Sequence, residues 1–175
     1  MAEDMTRLKN EECRQLRLVL NNEGGHYRRL LRLAWRQNSY MQRQDVDRLE
    51  ANAREWARYL PLANEARLER ERFVSEMAAR SGLRIPPGRV EDLLDYTRPE
   101  AKRSVTGALG QVRQAAAKLA RQNELNRLLA EFCLDLVHEE AEIFKSAVLE
   151  NPAGCYDDEA RNKGRGPGGV IVKQA

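Results

Sequence analysis

The sequence predicts an all-α fold: an elongated antiparallel three-helix bundle or coiled coil, with a short extra helix and a disordered C-terminal tail. Three observations predict it. Apolar residues recur at steps of three, four and seven along three long stretches, which is the signature of amphipathic helices. Proline and glycine signals gather between those stretches and after the last of them. Aromatics make up only 6% of the chain and charged residues 33%, which suits thin, extended packing, while 42% hydrophobic content still supports a core.

The first helix is expected at about residues 5–43, carrying Leu8, Leu16, Leu20, Tyr27, Leu30, Leu31, Ala34 and Met41 on its stripe. Gly24 and Gly25 interrupt it, each costing about 1 kcal/mol relative to alanine, so the helix either bends or properly starts there. The second helix is expected at 45–80. Asp45 or Asp47 caps it by accepting from an orphan backbone N–H. Its stripe is Val46, Leu49, Ala53, Trp56, Leu60, Ala63, Leu68, Val74 and Met77. Pro61 lies inside and removes one backbone hydrogen bond, which predicts a kink. Ser81-Gly82-Leu83 stops the helix, and Ile85-Pro86-Pro87-Gly88 forbids its continuation.

A short amphipathic piece follows at 89–97, with Val90, Leu93 and Leu94. Thr97 as cap or Pro99 in the first turn then starts the longest helix, expected at 100–150. Its stripe holds a period near 3.5 through Ala101, Val105, Ala108, Leu109, Val112, Ala116, Leu119, Asn123, Asn126, Leu129, Phe132, Cys133, Leu136, Ile143 and Ala147, favouring a seam of coiled-coil kind. Asn123 and Asn126 on that seam are the polar residues that fix register. Residues 1–150 are thus expected as a helical domain and 151–175 as a flexible tail.

Three long helices and one very short link make an antiparallel bundle the default. At 1.5 Å per residue the last helix outruns the first two by roughly 15–20 Å. The excess would fall on about Val137 to Glu150 and leave Ile143, Phe144, Ala147, Val148 and Leu149 without an intramolecular cover. An uncovered apolar stripe marks a binding or oligomer surface.

The remaining chemistry is sparse. A net charge of +3 demands neither nucleic acid nor an anionic membrane. Cys13, Cys133 and Cys155 are odd in number and far apart, which speaks for a reducing compartment rather than a disulfide framework. Cys133, on the apolar stripe, reads as a buried thiol. The N-terminus is polar and acidic, unlike a signal peptide, and no apolar run approaches the ~18 residues of a membrane span. Both histidines fall in the spacing Glu23-x-x-His26 and Asp135-x-x-His138, which di-iron bundles use. Yet one motif carries aspartate and a fourth long helix is missing, so surface histidines and no metal are expected. There is no nucleophile elbow and no phosphate loop, so neither an enzyme nor a cofactor is expected.

Arg28, Arg32 and Arg36 form an i, i+4 ladder, with Arg29 and Arg43 nearby, and residues 24–43 contain no acid. Like charges at this spacing repel and want an anionic neighbour. Phosphate is one candidate. The acidic end of the last helix, Glu131, Asp135, Glu139, Glu140 and Glu142, is the expected one.

The residues themselves resemble a known family. The segments YRRLLRLAWRQNSYMQRQDVDRLEANAREW, EARLERERFVSEMAARSGL and RQNELNRLLAEF, and the Tyr-Asp at 156–157, occur in the order and spacing of the FlgN family of flagellar export chaperones, over roughly Leu16 to Tyr156. The resemblance implies a cytosolic (bacterial) helical bundle that is not an enzyme. Such a protein binds the C-terminal segment of hook-filament junction proteins, prevents their premature assembly and delivers them to the cytosolic domain of the flagellar type III export gate. Carried over, the client-binding surface falls on Leu129, Phe132, Leu136, Ile143, Phe144 and Ala147, and the tyrosine that docks on the export gate is Tyr156. Nucleic acid and membrane insertion are not implied. Two other function classes fit the residues: a helical adaptor that self-associates through the same stripe, and a nucleic-acid-binding bundle using the arginine ladder. The proline at Pro61 and a tail reaching well past Tyr156 depart from the family pattern.

Overall fold

A computed structural model describes residues 8–149, with side chains through residue 147. Four helices order these residues: α1 (Asn10–Gln42), α2 (Val46–Arg80), α3 (Val90–Leu94) and α4 (Pro99–Leu149). No strand occurs among the described residues. The chain forms two compact units, Met1–Arg127 and Leu128–Ala175. The tail from residue 150 onward, with Cys155 and Tyr156, lies outside the described residues.

The first unit is a helical bundle whose directions follow from its cross-helix partners. Glu12 meets Arg80, Glu23 meets Arg70, and Leu33 meets Asn52, so α1 and α2 run antiparallel. Arg17 meets Ser104, and Ala34 and Asn38 meet Asn126, at sequence offsets of 87 to 92, so α4 runs parallel to α1. The core lies between them in two clusters. One gathers Leu16, Leu20, Val74, Met77, Leu93, Val105 and Val112; the other gathers Leu30, Leu31, Leu33, Ala34, Ala63 and Leu119.

Helix ends follow backbone chemistry closely. α1 starts at Asn10, five residues later than expected, where the Glu12 carboxylate accepts from the Lys9 N–H at 3.0 Å. It ends in a tight reversal: Gln44 N–H donates to Met41 O, and Asp45 N–H to Tyr40 O. Gln44 holds the left-handed position of this turn at φ 54°, a conformation that favours glycine. Asp45, not Asp47, caps α2 by accepting from Arg48 N–H at 3.2 Å. Gly82, at φ 67°, closes α2 with the same double hydrogen bond, Leu83 N–H to Ala78 O and Gly82 N–H to Ala79 O. Pro99 is the first residue of α4; the Thr97 hydroxyl does not cap it but donates back to Leu93 O.

Three sequence expectations are corrected here. Gly24 and Gly25 do not break α1, which runs through them. Gly24 is a point of close helix approach: a Cβ there would stand 3.4 Å from Val112 Cγ2. The inner face of α2 keeps only part of the apolar stripe read from the sequence, namely Ala63, Val74 and Met77. Val46, Leu60 and Leu68 are exposed, whereas Asn52, Ala63, Ala66, Val74, Met77 and Ala78 are buried. The one polar residue among them, Asn52, is held by its Nδ2 donating to Leu33 O at 3.2 Å. On α4, Asn126 is buried and Asn123 is exposed, so only one of the pair sits in the seam.

The buried polar groups decide the register. Glu23 is 1% exposed. Its carboxylate accepts from Arg70 Nε at 2.6 Å, from Arg70 Nη2 at 3.4 Å and from the Tyr27 hydroxyl at 3.1 Å. Arg70 also donates to Gly88 O at 3.1 Å, tying the chain before α3 to the same point. Asn126 donates to Ala34 O at 2.8 Å and to Gln37 Oε1 at 3.1 Å, and accepts from Asn38 Nδ2 at 3.0 Å. A buried polar side chain with this many partners is costly to displace, so it pins α4 against α1.

Two stability measurements follow. Gln44→Gly should raise stability by about 0.5–1 kcal/mol, read as a higher denaturation midpoint in urea, because it relieves the left-handed backbone. Arg70→Met should cost about 3–5 kcal/mol, since it strands the Glu23 charge out of water. Adding Glu23→Met should then recover most of that loss, and failure to recover it would assign the cost to the Gly88 contact instead.

Candidate docking surface on the last helix

The second unit, as far as it is described, is the C-terminal part of α4. Its side chains from 128 to 147 are exposed except for the half-buried Leu129, Ala130 and Cys133. Many of the exposed ones are large and apolar: Phe132 is 59% exposed, Ile143 and Phe144 are each 69% exposed, and Leu128, Leu134, Leu136 and Val137 are exposed as well.

Helical geometry sorts these residues. At about 100° per residue, Leu128, Phe132, Leu136 and Ile143 fall within a sector of about 80°. Leu129 and Ala147 border that sector. Phe144 lies beyond Ala147, about 80° past the sector's edge, and Val137 and Leu134 point away from it. The sequence-derived residues therefore divide: Phe132, Leu136 and Ile143 form the stripe, Leu129 and Ala147 edge it, and Phe144 lies beyond it. Leu128, Leu134 and Val137 are exposed apolar residues that the sequence reading omitted, and the signal for Leu128 was its i, i+4 spacing to Phe132. The side chains of Val148 and Leu149, and the whole of Tyr156, lie outside the described residues. Cys133, expected to be buried, is only half-buried.

Acidic residues border the stripe, and Glu139 falls within its sector between Leu136 and Ile143. Asp135, Glu139, Glu140 and Glu142 are exposed, and Lys145 Nζ lies 3.5 Å from Glu142 Oε2. The surface offers contact area and a negative rim, with no arrangement of nucleophile, base and oxyanion donors.

The other candidates resolve as follows. Glu23 turns inward to Arg70 and Tyr27, while His26 lines a shallow groove with Asn22, Leu62, Glu65, Ala66, Glu69 and Arg72. Among the described residues no three His, Cys, Asp or Glu side chains are grouped so as to hold a metal ion. The arginine ladder divides as well. Arg29 and Arg36 both pair with Glu55 of α2, and the Arg29 guanidinium lies 4.6 Å from the Tyr59 ring centre. The acid that answers these two arginines is thus on α2, not at the end of α4, because α2 packs on that side of α1. Among the described residues no helix is long and apolar enough to cross a membrane.

Burial pushes the Cys13 thiol above its ordinary value, and the Glu12 carboxylate adds to the shift. A raised folded-state value stabilises the fold below the unfolded thiol's value of about 8.5, and that contribution is lost as pH rises through the folded value. Alkylation at mildly alkaline pH should therefore modify Cys133 well before Cys13, as read by peptide mass spectrometry; equal rates would show that the first core cluster opens readily.

Compared with known families, the chain matches the family model described as FlgN protein over residues 12–164, most of its 175 residues. No curated protein and no solved structure matches it.

Proposed function

The chain belongs to the FlgN family, which makes it a flagellar export chaperone, and from that premise we propose that it binds the C-terminal segments of hook-filament junction proteins in the cytosol. The observation that carries this reading is the exposed apolar stripe Leu128, Phe132, Leu136 and Ile143, edged by Leu129 and Ala147, with Phe144 beyond Ala147. A client segment folds into an amphipathic helix against that stripe, with anchors at i, i+3 or i+4, and i+7. Burying each large anchor contributes about 1.5–3 kcal/mol. Ordering the client costs about 2–5 kcal/mol in return. The balance is a complex firm enough to block premature assembly and weak enough to release at the gate.

Delivery falls to the tail in this proposal. Tyr156 is the gate-docking residue, because tyrosine joins a rigid apolar face to a hydrogen-bonding hydroxyl. Client binding and gate docking are then separate tasks of separate segments. The stripe could alternatively seat a second copy of the chain; a tight dimer that persists in light scattering with client segment present would overturn the client reading.

Phe132→Glu and Ile143→Glu should each weaken binding of a junction-protein C-terminal segment by about tenfold or more, since a charge then faces the client's apolar side. Calorimetry reads the affinity and circular dichroism checks that helicity is kept. Removing residues 155–175 should spare client binding and abolish export-gate binding.

A further inference from the structure

Arg28 and Arg32, the ladder arginines that meet no acid among the described residues, point to a second binding surface. Between α1 and α4, within the first unit, lies a groove of about 550 Å³ lined by Arg28, Leu31, Arg32 and Trp35 on one side and Gln111, Gln114, Ala115 and Lys118 on the other. Its floor is apolar, because Leu31 and Ala115 are buried core residues. Trp35 stands beside that floor 52% exposed, an unusual place for a large ring with nothing to cover it. The three charged liners are all cations, and no acid lines the groove.

The contrast with neighbouring arginines is informative. Arg29 and Arg36 share Glu55 of α2 on the adjoining face of α1. Among the described residues, Arg28, Arg32 and Lys118 form no ion pair with any acid. Arg28 and Arg32 stand one turn apart on α1, where like charges repel. The Arg28 guanidinium folds toward the helix seam: its Nη1 lies 3.4 Å from where a Cβ on Gly24 would stand, beside Val112. A cation held over an apolar seam, with Arg32 beside it and Lys118 across the groove, is a site that an anion completes.

We propose that this groove binds an acidic, amphipathic peptide segment of a partner protein. An apolar side chain of the segment would stack on Trp35 above Leu31 and Ala115. Its carboxylates would reach Arg28, Arg32 and Lys118, and Gln111 and Gln114 would supply amide hydrogen bonds. The size of the site favours a peptide over nucleic acid. Arg28 to Trp35 spans only about 10 Å of helix, and three cations are few for tracking a phosphate backbone, where binding rests on many such contacts. The proposal goes beyond client binding and does not rest on it, since it uses other residues, the opposite charge and the other unit of the chain.

The test uses the full chain and a synthetic helical peptide with a leucine stripe flanked by glutamates. Its controls are the same peptide with glutamine for glutamate, and a single-stranded oligonucleotide of equal length. The indole N–H signal of Trp35, identified through Trp35→Phe, reports binding by nuclear magnetic resonance. The acidic peptide should shift that signal saturably, and the glutamine peptide should bind about tenfold or more weakly. The triple variant Arg28→Gln, Arg32→Gln, Lys118→Gln should lose affinity to a similar degree while keeping its melting temperature and its affinity for the junction-protein segment. No Trp35 shift at millimolar acidic peptide, equal binding of the two peptides, or an unaffected triple variant would each overturn the proposal. Tighter binding of the oligonucleotide would overturn it in favour of nucleic acid.

Discussion

Glu23 carries a carboxylate to a place that water does not reach, and Arg70 answers it from the neighbouring helix. A buried pair of this kind is weak evidence for added stability, because desolvation offsets much of the attraction. Its consequence is positional. Any slip of α2 along α1 would leave the carboxylate unpaired, and Arg70 simultaneously holds the Gly88 carbonyl, so the link into α3 moves with the same anchor. About two turns past the centre of α1, the adjacent carbonyls of Leu33 and Ala34 receive side-chain amides from Asn52 and Asn126. Each carbonyl has a second lone pair free for such a bond. The middle of α1 is thereby tied to both partner helices by groups that have no good alternative partner.

This division of labour explains which parts of the fold were legible in the sequence. Helix ends were readable because their chemistry is local: Asp45 caps, Gly82 takes a left-handed position, and Pro99 occupies a first turn whatever lies beyond. The inward faces were less readable because inside and outside are settled by partners distant in sequence. Leu60 and Leu68 look like core and are exposed, while Asn52 and Glu23 look like surface and are buried. The two glycines of α1 carried a similar ambiguity. Flexibility of the backbone and absence of a side chain are written with the same letter, and here Gly24 is used for closeness to Val112.

The two surfaces on α4 differ in the same way. The apolar stripe beyond Leu128 was visible as periodicity, since the same spacing that places Val105, Val112 and Leu119 in the core continues through Phe132, Leu136 and Ile143. Periodicity does not say whether a stripe is covered, and Cys133 was misjudged for that reason. The cationic groove was less visible still. A ladder of arginines in sequence does not reveal that Arg29 and Arg36 turn to Glu55 while Arg28 and Arg32 face α4. Its meaning emerges only after the paired members are set aside. The two surfaces carry opposite charge, negative around the stripe and positive in the groove, so they select partners of different kinds.

The parallel pairing of α1 with α4 has a consequence for how the chain reaches this state. Contacts across the hairpin close short loops near the turn at Gln44, whereas those between α1 and α4 span 87 to 92 residues. The entropy of loop closure grows with that separation, and contacts remote in sequence slow folding. The hairpin should therefore assemble while α4 is still being synthesised, at about 5–20 residues per second. For several seconds Leu16, Leu20 and Leu30 have one neighbouring helix instead of two. A nascent chain in that interval is itself a client for whatever shields unfinished proteins, before it becomes able to shield others.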